Sequence, residues 1–312
     1  MTTNPTPKPI NELFGKFQHD VEHAFSMYAI SCCTIPAEGL YDNAALKPLM
    51  NTIESCHIYL IGFTPNVAYI ASKQEDRELI LSFEVAGKQC EISYEIPDGY
   101  NLINESEPHI LENESGEKCW PNSGSLIQKL SEVSNAAEFN VKYIGQAYGE
   151  AGSRNALDRL QKHETLQEIS LKGSPKGYRL TLIMLAIEPS NRLITVMNPF
   201  AKEKSDGDSR IKPGLDKLFN TTEEERVCLY EAALIRYFYP EYNVEFKDSF
   251  PSTKLKILQD CYEKDFSAVI AEICIDELPY RLFSDRVKCS QYHIAKHNLH
   301  KKEDRKVFFA LE

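Results

Sequence analysis

The sequence lacks any apolar run long enough to cross a bilayer, and its cysteines show no pairing pattern. A membrane-spanning helix needs about 20 consecutive apolar residues. The polar, proline-containing start MTTNPTPKP is unlike a secretory signal peptide. The nine cysteines are odd in number and scattered, which favours reduced thiols. These absences predict a soluble, cytoplasmic protein without a membrane partner.

Basic residues are fewer than acidic residues, with 35 Lys/Arg against 46 Asp/Glu, so the formal net charge is -11. Residues 1–120 contain 7 Lys/Arg and 18 Asp/Glu, so all the excess acidity lies in the front of the chain. Nucleic-acid binding favours Lys and Arg, although a neutral domain can bind through a local patch. The acidic front part is therefore not expected to bind nucleic acid, whereas the neutral remainder is a candidate.

The length of 312 residues suggests two domains. We predict an acidic α+β accessory domain over residues 1–110, a polar linker over 111–124, a second domain over 125–280 and a basic helical tail over 281–312. In the accessory domain, apolar spacing over residues 10–33 predicts a helix, and four short apolar runs within residues 57–96 predict an antiparallel meander. Scaffolding or binding of a partner protein is its expected role.

The segment from Val141 to Ser170 has the most informative pattern. It begins as a short strand, passes through a glycine-rich turn, and becomes a helix for which Ser153 is the predicted N-cap. Arg159 and His163 are four residues apart, which places both on one face of a continuous helix. A strand tyrosine and this Arg/His pair can converge on one phosphate.

A later helix carries Glu231 on its apolar stripe, after a capping box formed by Thr222 and Glu225. A carboxylate on a buried face is costly unless a partner compensates it. Two compensations are open, a salt bridge to a core arginine such as Arg159 or coordination of a metal ion. Asn243 follows the end of this helix and is, by itself, an ordinary turn residue.

In this order, Tyr143-Ile144-Gly145, the Arg159-x-x-x-His163 helix, and then Glu231 and Asn243 resemble the core of GIY-YIG endonucleases. The resemblance covers roughly residues 136–278. It implies a small antiparallel sheet flanked by helices, hydrolysis of phosphodiester bonds, and a divalent cation, Mg²⁺ or Mn²⁺, bound by Glu231. The implied catalytic residues are Tyr143, Arg159, His163, Glu231 and Asn243.

The sequence departs from the family pattern at the GIY strand, whose tyrosine is usually assigned as the general base. Residues 125–139, just before Tyr143, predict a helix instead of that strand. The loop between Gly145 and Arg159 is also longer than usual. His57-Ile58-Tyr59 and Tyr69-Ile70-Ala71 imitate the two strands without their glycines, and a simple β-hairpin is the preferred interpretation. Tyr59 would supply the missing tyrosine only if its strand packed beside that of Tyr143.

The chemistry that these residue types allow is phosphodiester hydrolysis. Arg159 is suited to a non-bridging phosphate oxygen, and Tyr143 or His163 could position or deprotonate water. The expected function is a metal-dependent endonuclease acting on DNA rather than RNA, with restriction or phage defence suggested by analogy alone. The alternative is a catalytically degenerate protein of the same fold that binds nucleic acid or forms complexes.

Basic residues near these motifs and in the tail are the predicted contacts to nucleic acid. The tail also contains Cys289, His293, His297 and His300, with His293 and His297 at a helical spacing compatible with zinc. A basic exposed helix is the preferred interpretation, and a zinc-binding adaptor is a third alternative. Apolar runs at residues 176–187 and 192–200 predict a hairpin. The predicted nucleic-acid contacts are Lys142, Lys162, Lys296, Lys301 and Lys302.

Overall fold

The computed structural model describes residues 12, 14–103, 111–149, 154–188, 190, 192–205, 208–251, 255–302 and 305. Within them the chain is mixed α/β, with about 29% helix and 37% strand and a large curled sheet. This confirms a fold that mixes helices and strands. No helix among these residues is long and apolar enough to span a membrane.

Strands and helices alternate along the chain, so neither type is confined to one half. The strands are β1 (Val21–Pro36), β2 (Ile58–Pro65), β3 (Val67–Glu75), β4 (Glu78–Val85), β5 (Lys88–Glu95), β6 (Tyr100–Leu102), β7 (Leu111–Asn113), β8 (Lys118–Cys119), β9 (Glu138–Gln146), β10 (Tyr178–Ile187), β11 (Arg192–Met197), β12 (Ala268–Ile273), β13 (Arg281–Phe283) and β14 (His293–Asn298). The α-helices are α1 (Asn43–Leu46), α2 (Met50–Glu54), α3 (Ser123–Val133), α4 (Ala156–Leu160), α5 (Glu164–Lys172), α6 (Ile211–Asn220), α7 (Glu223–Phe238) and α8 (Lys256–Glu263), and short 3₁₀ helices cover Ala37–Tyr41 and Lys47–Leu49.

The large sheet has the order β13-β9-β2-β10-β1-β12-β14, and β11 also pairs with β1. It is larger than the small sheet expected, and it includes the parallel pairs β1–β12 and β9–β13. The long strand β1 pairs first with β11 and then with β10, both antiparallel. The predicted hairpin of residues 176–187 and 192–200 is therefore wrong, because β10 and β11 lie end to end along one partner.

The predicted boundary near residue 110 does not separate two sheets. Strands β1 and β2 come from the predicted accessory domain, yet β2 lies between β9 and β10 and β1 lies between β10 and β12. Residues 67–133 are an insert between β2 and β9 that contains the small sheets β3-β4-β5 and β6-β7-β8 and then α3. The predicted linker over 111–124 thus contains β7, β8 and the start of α3.

The predicted helix over residues 10–33 is wrong from Val21 onwards, where the chain forms β1, although residues 12 and 14 are helical. The first seven residues of β1 are all buried. A central strand that is covered on both faces need not alternate between apolar and polar residues, and here Val21 and Phe25, four residues apart, imitate helical spacing. The sequence alone does not reveal that this segment is buried on both faces, and such burial favours a strand over a helix.

Helices cover both faces of the large sheet and leave two main apolar cores. One core packs α7 and α8 against residues such as Phe25, Leu60 and Ile144. The other core packs residues 37–54 with α4 and α5 against the opposite face, where Tyr59 and Ile61 lie. The predicted capping box of α7 is confirmed, since Thr222 and Glu225 bond each other's backbone N–H groups.

The tail over 281–312 was predicted as a basic helix, and its described part contains the strands β13 and β14 instead. The three tail histidines serve backbone carbonyls. The Nε2 atom of His297 is 2.9 Å from the Ala233 carbonyl oxygen, and that of His300 is 3.0 Å from the Phe266 carbonyl oxygen. His293 is buried and bonds Ser290 in the same manner. Of these bonds, the one from His297 ties β14 to α7.

Burial of two histidines predicts a loss of stability in mild acid. Desolvation lowers the pKa of both His163 and His297 to about 4, with Arg159 and Arg236 adding to it, respectively. An unfolded histidine titrates near 6.5, so between about pH 6.5 and about pH 4 the unfolded chain binds more protons. We expect the free energy of unfolding to fall as pH falls through this window, by at most about 1.4 kcal/mol per pH unit for each histidine.

Urea unfolding followed by circular dichroism across this pH range measures the slope. The variant His297→Gln keeps a side-chain donor for the Ala233 carbonyl and removes one titrating group. Its stability should depend less steeply on pH than that of the wild type. Equal slopes for the two proteins would contradict the assignment of this acid sensitivity to His297.

Candidate active site

Two tyrosines from neighbouring strands form the centre of the candidate site. In the antiparallel pair β2–β9, Tyr59 lies opposite Gly145 and Ile61 lies opposite Tyr143. The rings of Tyr59 and Tyr143 stack with centroids 6.2 Å apart and planes inclined by 24°. The strand of Tyr59 therefore packs beside that of Tyr143, which was the condition for Tyr59 to supply a second site tyrosine.

Gly145 makes room for Tyr59. A Cβ atom at position 145 would lie 2.4 Å from the Tyr59 hydroxyl oxygen and 2.5 Å from the ring carbon that bears it. Real Cβ atoms do not approach other atoms so closely, so any side chain at this position would displace the phenol. The glycine of the Tyr-Ile-Gly motif is thus explained by a cross-strand aromatic contact.

His163 does not share a helix with Arg159, contrary to the prediction. Helix α4 ends at Leu160, and His163 is the N-cap of α5, with its Nδ1 accepting the Leu166 N–H at 3.1 Å. The chain tightens between the helices, where the N–H of His163 bonds the Leu160 carbonyl. The predicted N-cap Ser153 lies outside the described residues, and Asn155 caps α4.

The imidazole of His163 supports both phenols from the side. Its centroid lies 5.4 Å from that of Tyr59 and 5.0 Å from that of Tyr143, and both contacts are edge-to-face. Burial and then Arg159 lower the pKa of His163 to about 4. The ring is therefore neutral near pH 7, with one nitrogen committed to the helix cap.

Arg159 is an exposed residue of α4 that interacts with Tyr59. Its hydrogen bond and charge act to lower the pKa of the Tyr59 hydroxyl, and a bond from Tyr59 acts likewise on Tyr143. Burial dominates in both cases and keeps both tyrosine pKa values raised. The order of contacts is Arg159 to Tyr59 to Tyr143, and both phenols are protonated near neutral pH.

Glu231 lies on the buried side of α7 and is only 9% exposed. Burial, followed by the charge of Glu245, raises the pKa of this carboxyl to about 8. The side chain and backbone of Gln146 donate hydrogen bonds to Glu231 and oppose the shift, and Arg159 opposes it more weakly. Compensation by Arg159, one of the two alternatives, is thus minor, since the hydrogen bonds of Gln146 have the larger effect on the pKa of Glu231.

Asn243 holds the edge of β9. Its Oδ1 accepts the Ile144 N–H at 3.0 Å, and its Nδ2 donates to the Ile144 carbonyl at 2.8 Å. The neighbouring N–H of Tyr242 bonds the Lys142 carbonyl at 3.0 Å. The amide of Asn243 is therefore engaged with the strand that carries Tyr143, and it positions that strand.

These side chains meet at a cleft of about 450 Å³. Four of the five predicted catalytic residues line it, whereas His163 lies behind the tyrosines. Tyr59 and Gln146 were missed, although the His57-Ile58-Tyr59 pattern did signal Tyr59. The lining residues are Tyr59, Tyr143, Gln146, Arg159, Thr165, Glu231, Ile235, Tyr242, Asn243, Val244, Glu245 and Phe246.

The predicted lysine contacts divide into two groups. Lys142 lies near the cleft but pairs with Glu241 at 3.0 Å, and Lys162 is exposed between α4 and α5. Lys296 lies in β14, with Lys301 and Lys302 shortly beyond it. Strands β14 and β9 lie towards opposite edges of the large sheet, so the tail lysines are separated from the two tyrosine strands in the strand order.

Comparison with protein-family models, curated protein sequences and solved structures gives no match. The part of the chain that the structure describes also contains no group of three or more His, Cys, Asp or Glu side chains placed to hold a metal ion. Glu231 and Glu245 are the two carboxyl groups that line the cleft, so a metal there would take its other ligands largely from solvent and substrate. Function has to be inferred from the geometry of the cleft.

The contact between Gly145 and Tyr59 leads to a test of the site's packing. We expect Gly145→Ala to push the Tyr59 phenol away and to lower the free energy of unfolding by about 1–3 kcal/mol, the usual cost of overpacking. Near-ultraviolet circular dichroism of the tyrosines and thermal unfolding measure both effects. Gly124→Ala in α3 is the matched control, since its Cβ would meet only the Asn122 side chain at 3.4 Å. An unchanged tyrosine spectrum in Gly145→Ala would contradict the proposed contact.

Proposed function

We propose that this protein is a metal-dependent endonuclease that hydrolyses phosphodiester bonds in DNA, with a GIY-YIG-like site. One observation supports this function above the others. Two tyrosines from adjacent antiparallel strands, an arginine from the following helix and a glutamate from a later helix line a single cleft. Structural roles explain each residue separately, but not their convergence at a solvent-accessible space large enough for a phosphate group.

Tyr59 removes the main departure from the family pattern. Its strand lies directly beside the strand of Tyr143, with an insert between them in sequence. His57-Ile58-Tyr59 thus takes the place of the missing motif, without its glycine. The core of the proposed resemblance is then β2, β9, α4 and α7, and it starts earlier in the chain than the sequence suggested.

In the proposed reaction, Arg159 binds a non-bridging phosphate oxygen with its forked, permanently charged guanidinium. Charge that builds up on the phosphoryl group is then stabilised by a preorganised donor. Tyr143 is only half-buried and lines the cleft, so its hydroxyl is the group that orients the attacking water. It takes a proton from that water only as the phenolate, after its own proton has passed to solvent. Tyr59 donates to the Tyr143 oxygen and stabilises the phenolate form.

Glu231 fits a divalent cation by its chemistry. Mg²⁺ prefers oxygen ligands and is often held by one or two carboxylates together with water and substrate phosphate. The carboxyl is buried at the cleft and its pKa is raised, so a cation would offset a real desolvation cost. When bound there, Mg²⁺ or Mn²⁺ would supply Lewis-acid polarisation of a phosphoryl oxygen.

His163 and Asn243 are positioning residues in this proposal. His163 is neutral, buried and committed to the cap of α5, and it fixes the two phenol rings. Asn243 satisfies the backbone of Ile144 with both ends of its amide. Neither residue presents an uncommitted proton acceptor to the cleft, so neither is assigned to proton transfer.

The alternative function is a non-catalytic nucleic-acid-binding or complex-forming protein with the same fold. The double hydrogen bond between Gln146 and Glu231 favours it, because that carboxyl is partly satisfied without a cation. Both functions share the cleft. They differ in whether the cleft supports turnover.

Cleavage of supercoiled and linear DNA with Mg²⁺, Mn²⁺ or EDTA tests the proposed function. We expect nicking that EDTA abolishes, and a loss of about 100-fold or more in rate for both Arg159→Ala and Glu231→Ala. Arg154→Ala and Glu224→Ala are matched controls, because both residues are exposed and flank the same two helices. Nicking that survives in both site variants would contradict the assignment, and intact DNA binding without cleavage would support the alternative.

The two tyrosines should differ in their effect on turnover. Tyr143→Phe removes the hydroxyl that acts on water, so kcat should fall by about 100-fold or more. Tyr59→Phe removes a hydroxyl that bonds Arg159 and Tyr143 and acts on the water only through Tyr143, so a loss of about tenfold is expected. Single-turnover rates on one DNA substrate measure both. A larger loss in Tyr59→Phe than in Tyr143→Phe would reverse the proposed roles.

A further inference from the structure

The end of α7 carries a basic patch that the proposed chemistry does not use. We call it the Tyr239 patch and define it by Arg236, Tyr239, Lys247 and Arg286. The guanidinium carbon of Arg286 is 3.3 Å from the centroid of the Tyr239 ring, and Nζ of Lys247 is 4.4 Å from it. One aromatic ring thus holds two cations in place.

These two cations keep their charge available. Among the described residues, the ion pairs within 4 Å include neither Lys247 nor Arg286, whereas Arg236 pairs with the exposed Asp248 at 3.4 Å. Asp248 also accepts the hydroxyl of Tyr239 at 3.0 Å. An aromatic face orders a cation without neutralising it, and a stacked guanidinium keeps its N–H edges for an anion.

The patch adjoins the cleft through a constrained loop. Residues 242–246 line the cleft, and Lys247 follows Phe246 directly in the chain. Tyr239 and Phe246 both adopt left-handed backbone conformations, with φ of 53° and 64°. Such a conformation is unfavourable for an aromatic residue and persists where its surroundings fix it. The loop thereby holds Lys247 against Tyr239, next to the cleft wall.

We propose that Lys247 and Arg286, ordered on Tyr239, bind the phosphate backbone of double-stranded DNA beside the phosphate held in the cleft. This inference rests on the proposed function for the identity of the polyanion. The complementarity is between two cations that belong to none of the ion pairs among the described residues and a polymer of regularly spaced phosphates. It replaces Lys296, Lys301 and Lys302, which lie towards the far edge of the sheet, as the main electrostatic contact.

Binding of the full-length protein to a fluorescent DNA duplex in EDTA, across a salt series, tests the proposal without any cleavage. Each phosphate contact contributes about -0.9 to the slope of log affinity against log salt concentration. We therefore expect Lys247→Gln with Arg286→Gln to make the slope less steep by about 1.8. The matched control, Lys301→Gln with Lys302→Gln, removes the same charge at the other edge and should leave the slope unchanged.

Thermal unfolding of each variant separates binding from folding. If the Tyr239 patch only stabilises the end of α7, the double variant will have a lower melting temperature and the wild-type salt slope. That result would overturn the proposal. Equal slope changes in both pairs, or no binding of duplex DNA by the wild type, would overturn it as well. Arg286→Lys retains the charge and should keep most of the slope. If the patch variant has a less steep slope and the wild type does not cleave DNA, the results would support DNA binding by the Tyr239 patch and contradict the proposed endonuclease activity.

Discussion

The pairing of β2 with β9 is the constraint on which the candidate site depends. It places Tyr59 opposite Gly145, and the missing side chain at Gly145 lets the phenol lie across the neighbouring strand. The stacked tyrosines then give α4 and α5 an aromatic surface, on which His163 packs. A shift of one residue in this register would turn the tyrosines to opposite faces of the sheet. The geometry of the site therefore depends on the register between β2 and β9.

The outer edge of β9 links this pair to α7. Only the first part of β9 pairs with β13, and the backbone beyond it would otherwise present open donors and acceptors. Tyr242, Asn243 and Glu231 serve those groups instead of another strand. This explains how a carboxylate is tolerated on the buried side of a helix. It also leaves the cleft open at the point where a further strand would have closed it.

The sequence predicted the elements whose signals are local. The strand from Val141 to Gly145 and the capping box of α7 were predicted correctly, since alternation and capping depend on neighbouring residues. The helix predicted over residues 125–139 ends earlier, at Val133, and β9 begins at Glu138. The break between Arg159 and His163 was not predicted, because their spacing is the same in one helix or in two short ones. The position of Tyr59 depends on pairing across the insert, and no local pattern encodes it. The tail histidines satisfy carbonyls of distant segments, a role that spacing alone cannot reveal.

The insert between the two tyrosine strands carries most of the chain's excess negative charge. Residues 66–137 contain 13 Asp/Glu and 5 Lys/Arg, so the excess negative charge is concentrated there. Asn66 anchors the insert to the start of β10, where its N–H donates to the Gly177 carbonyl at 2.8 Å and its own carbonyl accepts the Ala86 N–H at 3.0 Å. Closing a loop around a folded insert adds little entropy cost, because that cost grows only slowly with length. The chain can therefore carry an anionic module within the sheet's connectivity. Under the proposed function, a nucleic acid would contact the Tyr239 patch, whose Lys247 and Arg286 belong to none of the ion pairs among the described residues.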